Sequence, residues 1–92
     1  LYATNNMWTF LKLDTRNGRI WQVQWSFESD KRYESVLSST NLSRGENEMN
    51  GRFVLHPTTN NFNFIMLDRV KGDTYQVQWS QEPEKRIIVP IE

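Results

Sequence analysis

The chain has no cysteine, which excludes disulfides, thiolate metal sites and cysteine nucleophiles, and leaves the redox compartment open. It has one histidine, His56. With no second histidine for a metal and no serine in a nucleophile-elbow context, His56 reads as a strand residue near a turn and not as a base. Neither sign of charge is in excess: eleven basic and eleven acidic residues give a formal net charge of zero. That balance removes the usual electrostatic case for nucleic acid or an anionic membrane surface as partner. No run of residues approaches the about 18 apolar positions that a membrane helix needs.

What the chain does have is a repeat. Shifting the sequence by 54 positions brings Phe10 onto Phe64, Asp14 onto Asp68, Gly18 onto Gly72 and Gln22–Ser26 onto Gln76–Ser80. Of the 38 positions from Leu1 to Ser38, 15 are identical to Leu55–Glu92 without a gap. Agreement of this kind marks a duplicated structural unit. Aromatic residues make up 13% of the chain, and each buried ring removes about 150–250 Å² from water. This is how 92 residues, near the lower limit for a self-supporting core, can form one domain without staples.

Each copy reads as a β-hairpin. Trp8–Asp14 and Ile20–Ser26 are rich in aromatic and β-branched types, and Thr15-Arg-Asn-Gly18 carries turn residues. Asp14 suits the turn entry, where its carboxylate accepts backbone N–H groups, and Gly18 suits a left-handed exit. A four-residue loop sets Asp14 opposite Arg19. Trp8, Phe10 and Lys12 then share a face with Trp21, Val23 and Trp25, matched by Phe62, Phe64, Met66, Tyr75, Val77 and Trp79. This aromatic face is the expected apolar face of both copies. The other face is mixed: Thr9, Leu11, Leu13, Ile20, Gln22 and Gln24, matched by Asn63, Ile65, Leu67, Thr74, Gln76 and Gln78.

Adding the flanking segments gives repeat 1 (1–39), a linker of turn formers (40–50) and repeat 2 (51–92), each repeat four antiparallel strands in one all-β domain. Pro90 in the last strand implies an edge. The expected architecture is a pseudo-twofold sandwich or flattened barrel in which two four-stranded sheets pack their aromatic faces together. The alternative is a pair of propeller-like blades needing partner chains to close a ring. Leu55 is preceded by Gly51-Arg-Phe-Val54, read as the first half of a strand, so matching residues are expected before Leu1; a cleaved signal peptide or a disordered leader would account for them. The Gln-Val-Gln-Trp-Ser stretch, the Asn5-Asn6 turn and the Leu13-Asp14-x-x-x-Gly18 hairpin resemble a group of small two-repeat β-proteins of gut anaerobic bacteria. The resemblance spans nearly the whole chain, weakest in the linker. It implies the repeat architecture and no catalytic or ligand residue, since no activity is established for that group.

Little in the chain points to catalysis. Asp14 and Asp68 are related by the repeat, but glycine follows four residues on, whereas an aspartic-protease motif places it two residues on, so both are expected to cap turns. A calcium site fails because Asp68-Arg-Val-Lys-Gly72 has no second ligand side chain where a hard cation wants about 6–8 oxygens. Glu28 and Glu82, with Asp30 and Glu84, lie beside Lys31-Arg32 and Lys85-Arg86 and read as solvated ion pairs. The least implausible enzyme is a glycoside hydrolase, which needs two of those carboxylates about 5–10 Å apart in a cleft.

The amides of Gln22, Gln24, Gln76 and Gln78 fit either cross-strand ladders or a polar ligand. Trp8, Trp21, Trp25 and Trp79 need no function as core residues. One or two of them exposed beside those amides would form a stacking platform for a sugar ring or mark an interface, and Trp21 and Tyr75 are the ring candidates for a ligand site. The function expected from these residues is a non-enzymatic module that binds a protein or a glycan, with no cofactor and no metal. The second expectation is a homo-oligomeric building block, since a duplicated unit offers edges at both ends.

Overall fold

Both copies form the expected hairpin. In the computed structural model, which describes residues 1–92, Asp14 and Arg19 exchange the closing backbone bond (Asp14 N–H to Arg19 O, 2.9 Å), and Asp68 and Asp73 do the same (2.8 Å). The glycine exits are left-handed, with φ of 84° at Gly18 and 79° at Gly72. The carboxylates cap their own loops as predicted: Asp14 Oδ1 accepts the Arg16 N–H (3.0 Å), and Asp68 Oδ1 accepts those of Val70 (2.9 Å) and Lys71 (3.2 Å).

Eight strands follow in chain order: β1 Tyr2–Ala3, β2 Thr9–Leu13, β3 Ile20–Gln24, β4 Tyr33–Ser38, β5 Phe53–Pro57, β6 Asn63–Asp68, β7 Thr74–Gln78 and β8 Ile87–Ile91. They form two antiparallel sheets, β1-β2-β3-β4 and β5-β6-β7-β8, in which every neighbour in space is a neighbour in sequence. Pro90 sits in β8, an edge strand, where its missing N–H costs no ladder bond. The two sheets pack as a two-layer sandwich around one core of Leu11, Ile20, Phe53, Leu55, Phe64, Met66, Val77 and Trp79.

The inward face of sheet 1 corrects the sequence reading. Sheet 2 turns its aromatic face inward, with Phe64, Met66, Val77 and Trp79 buried, but sheet 1 buries Thr9, Leu11, Ile20 and Gln22 from its mixed face. Two positions explain this. Where sheet 2 has Met66 and Ile88, sheet 1 has Lys12 and Glu34, which pair with each other in solvent while the ammonium lies 5.1 Å from the Trp21 ring. Burying that ion pair would cost several kcal/mol in desolvation, on the order of the gain from burying the aromatic rings beside it. Leu11, Leu13 and Ile20 make the other face apolar enough to serve. The sandwich is therefore built face to back, mixed face on aromatic face.

Repeat 1 also protects the start of repeat 2. The outer edge of β5 would present unpaired N–H groups, yet Phe53 N–H donates to the Thr15 carbonyl (2.9 Å) and Leu55 N–H to the Tyr2 hydroxyl (3.3 Å). Arg52, fully buried, holds Asp68 through two bonds of 3.0 and 2.9 Å and reaches the linker carbonyls of Glu46 and Asn47. Burial pushes the Asp68 carboxyl up, but the Arg52 guanidinium and the loop N–H groups outweigh it, and its pKa lies below the ordinary carboxylate value.

Candidate functional site

The turn after β3 begins with Ser26, whose hydroxyl accepts the Glu28 N–H (3.1 Å), and continues as a 3-10 turn over Ser29–Lys31. Residues three apart eclipse in such a turn, which sets Lys31 Nζ 2.6 Å from the Glu28 carboxylate. Arg32 locks the turn from below, donating to the carbonyls of Ser26 (2.7 Å) and Phe27 (3.2 Å). Across from it, Asn6 Oδ1 accepts the Trp8 N–H (2.8 Å) and fixes the start of β2.

Between these two turns lies an open groove of about 440 Å³ lined by Trp8, Gln24, Trp25, Phe27, Glu28 and Lys31. Its floor is an aromatic cluster. Trp8 and Trp25 meet at 4.5 Å between ring centroids, and Phe27 stands edge-on to both. The Trp25 indole N–H donates to the Met7 carbonyl (2.8 Å), and Gln24 lies between the Lys31 carbonyl (3.4 Å) and the Tyr33 hydroxyl (3.0 Å).

Repeat 2 builds the same groove from the same positions. Phe62, Gln78, Trp79, Gln81, Glu82 and Lys85 line about 460 Å³. Lys85 and Glu82 pair at 2.6 Å, Gln78 donates to the Lys85 carbonyl (2.9 Å), Trp79 donates to Asn61 (3.1 Å) and Arg86 clamps Ser80 (2.8 Å). The floors differ, because Trp79 is buried against repeat 1 while Phe62 remains half exposed.

The structure divides the residues singled out in the sequence. Gln24 and Gln78 each line a groove. Gln22 is enclosed between the sheets, donating to the Ser80 carbonyl (3.0 Å) and accepting the Ser80 N–H (3.2 Å). Gln76 lies on the outward face of sheet 2 and donates to Asn63 (2.9 Å). Trp21 lies under Lys12 on the outward face of sheet 1. Tyr75 is half-buried on the inward side of sheet 2, where burial and the nearby Asp73 and Asp68 carboxylates push its hydroxyl pKa up. Of the indoles weighed as stacking platforms, Trp8 and Trp25 line the first groove and Trp79 the second. The sequence alone does not single out Phe27 and reads Glu28 and Lys31 only as a solvated ion pair. The signal was present in the repeat, since Glu28 and Lys31 recur as Glu82 and Lys85.

Each groove holds one carboxylate, already paired with its own lysine. No group of three or more His, Asp or Glu side chains is placed to hold a metal ion. The arrangement offers stacking surface, one amide and one ion pair. No family model, curated protein or solved structure matches the chain.

Proposed function

We propose that this chain is a non-enzymatic binding module with two repeat-related grooves, and that the ligand of each is a carbohydrate. The observation that carries the reading is that both grooves keep a ring at the Trp8/Phe62 position, the amide and the Glu–Lys pair. Apolar sugar faces stack on rings such as Trp8 and Phe62, while ring hydroxyls pair with an amide, a carboxylate and an ammonium at the rim. Each groove falls within the roughly 300–1,000 Å³ of small-ligand sites. Each groove carries one carboxylate, held by its own lysine, where glycoside cleavage uses two carboxyl groups flanking the bond.

The test is a glycan array followed by titration of intrinsic tryptophan fluorescence with any hit. The expected result is binding that falls about tenfold in the Gln24→Ala/Gln78→Ala double variant, with the unfolding midpoint kept. Unchanged binding in that variant, no glycan bound at all, or retention of a protein by these grooves in place of a sugar, each overturns the assignment.

A further inference from the structure

The two outward faces of the sandwich are copies of its two inward faces. Sheet 1 turns outward Phe10, Val23 and Trp25, the counterparts of buried Phe64, Val77 and Trp79. Sheet 2 turns outward Ile65, Thr74 and Gln76, the counterparts of buried Leu11, Ile20 and Gln22. β2 lies near β5, which the Tyr2 hydroxyl of β1 also reaches, and β4 lies near β8, so the sheets are stacked in the same strand order. A junction that joins unlike faces in the same order can repeat.

We propose that a second copy of this chain docks head to tail, the outward face of its sheet 2 covering the outward face of sheet 1. The contact reproduces between chains the junction that the two repeats make within one. Three features support it. The outward face of sheet 2 carries no carboxylate, lysine or arginine: Ile87, Val89 and Ile91, 38%, 40% and 47% exposed, form an apolar row on β8, and Val54, Ile65 and Leu67 form a second on β5 and β6, with Thr74, Gln76 and Gln78 of β7 between the two rows and His56 and Asn63 beside Ile65. The outward face of sheet 1 carries the aromatic rings and Val36, 49% exposed. Third, Gln22 grips the Ser80 backbone across the internal junction, and the Ser80 carbonyl also takes Arg86; at Ser26 the Arg32 bond recurs, and Gln76, the counterpart of Gln22, would exchange its bond to Asn63 (2.9 Å) for the Ser26 backbone of a neighbouring chain.

The junction between chains is weaker than the internal one for reasons on the same surface. Lys12 and Glu34 stand where sheet 2 has Met66 and Ile88, and Phe27 replaces Gln81, which inside the chain donates to Thr9 (3.1 Å). Covering the ion pair leaves no unpaired charge but still costs desolvation, which is the main reason the junction between chains is the weaker one. The contact is heterologous, which separates it from an isologous dimer of like faces. Docking would bury Trp25 as the internal junction buries Trp79, while the rest of the first groove stays open as the second groove does beside that junction, so self-association is read from the oligomeric state alone and can succeed or fail without the carbohydrate reading.

Sedimentation equilibrium over a range of concentrations tests the proposal. The expected result is reversible self-association of the unmodified chain. Val23→Lys blocks one face and Ile65→Lys the other, so each variant alone is monomeric, while a mixture forms a 1:1 dimer through the intact face of each. Should either variant unfold by circular dichroism, the exposed Val36→Lys and Val89→Lys serve in its place. Lys12→Met/Glu34→Ile, which copies the residues of sheet 2, tightens association by about tenfold or more. A monomer at every concentration, a single-face variant that still pairs with itself, or a Lys12→Met/Glu34→Ile protein no tighter than the parent overturns the proposal.

Discussion

Gln22 and Gln76 occupy the same place in the same hairpin, yet one is sealed between sheets and bonded to the backbone of the other repeat while the other lies on an outward face. Asp14 and Asp68 cap identical loops, but Asp68 is buried against Arg52 whereas Asp14 meets the exposed Arg16. Trp25 is half-buried and Trp79 nearly fully buried. The difference teaches that the local motif decides hairpin, turn and register, and that a few side chains on each face decide which side of the sheet becomes core. Lys12 and Glu34 against Met66 and Ile88 carry that decision here.

The hardest way to break the comparison is at the aspartates. Asp68→Asn leaves the Arg52 guanidinium buried without its counter-charge and is expected to cost about 3–5 kcal/mol in urea unfolding. Asp14→Asn, at a site where both partners reach solvent, is expected to cost under about 1 kcal/mol. Equal losses would show that the buried pair has no special role. The same pair sets an acid limit. The folded pKa of Asp68 is lowered, first against the upward push of burial and then by Arg52 and the Val70 and Lys71 N–H groups. Its contribution is therefore complete above the unfolded value of about 3.9 and is lost as pH falls through the folded value. The stability gap between the parent and Asp68→Asn should hold from pH 7 to 5 and close below about pH 4.

The next contrast is between the inward amide of Gln22 and the outward amide of Gln76. Gln22→Ala strands the Ser80 N–H and removes one partner of its carbonyl inside the junction, an expected loss of about 1–3 kcal/mol. Gln76→Ala removes one half-buried bond to Asn63 and is expected to cost about 0.5 kcal/mol. Thermal unfolding of both variants gives the ratio. If Gln76→Ala is the more destabilising, the outward face of sheet 2 is under tighter constraint than the geometry implies.

The finest contrast is at the loop glycines. Both have positive φ, so alanine at either is strained by about 1–2 kcal/mol. At Gly18 an added Cβ would also lie 2.9 Å from Leu42 Cδ1, while at Gly72 nothing lies within 4 Å. Gly18→Ala should therefore unfold at lower urea than Gly72→Ala by an amount worth about 1 kcal/mol. Leu42→Ala in the Gly18→Ala background should narrow that gap.

The all-β class, the strand order, the four-residue loops, the aspartate caps and the edge position of Pro90 were legible because each rests on neighbours in sequence. The inward face of sheet 1 was not, because periodicity marks two faces without ranking them. Counting rings favoured Trp8, Phe10 and Trp25, whereas the cost of burying Lys12 and Glu34 depends on Glu34 lying across the sheet at Val23, a pairing visible only in the fold. The grooves were half legible. Gln24 and Gln78 were found as amides, but Glu28 and Lys31 looked like ordinary surface charges until the 3-10 turn set them beside Trp25.

The strand order also bears on how the molecule comes into being. Each strand pairs with the one before it, so every ladder closes over a short loop and hairpins of this kind form in roughly 1–10 μs. Sheet 1 can be complete before the residues of sheet 2 have left the ribosome. The contacts that join the sheets, Gln22 to Ser80 and Gln81 to Thr9, span 58 and 72 residues of chain, so their loop-closure cost is expected to make docking of the sheets slower than closing the hairpins. During that interval the aromatic face of sheet 2 is open, and its first available cover, already folded and tethered by the linker, is the mixed face of sheet 1. Synthesis order thus favours pairing within the chain over pairing with a neighbour.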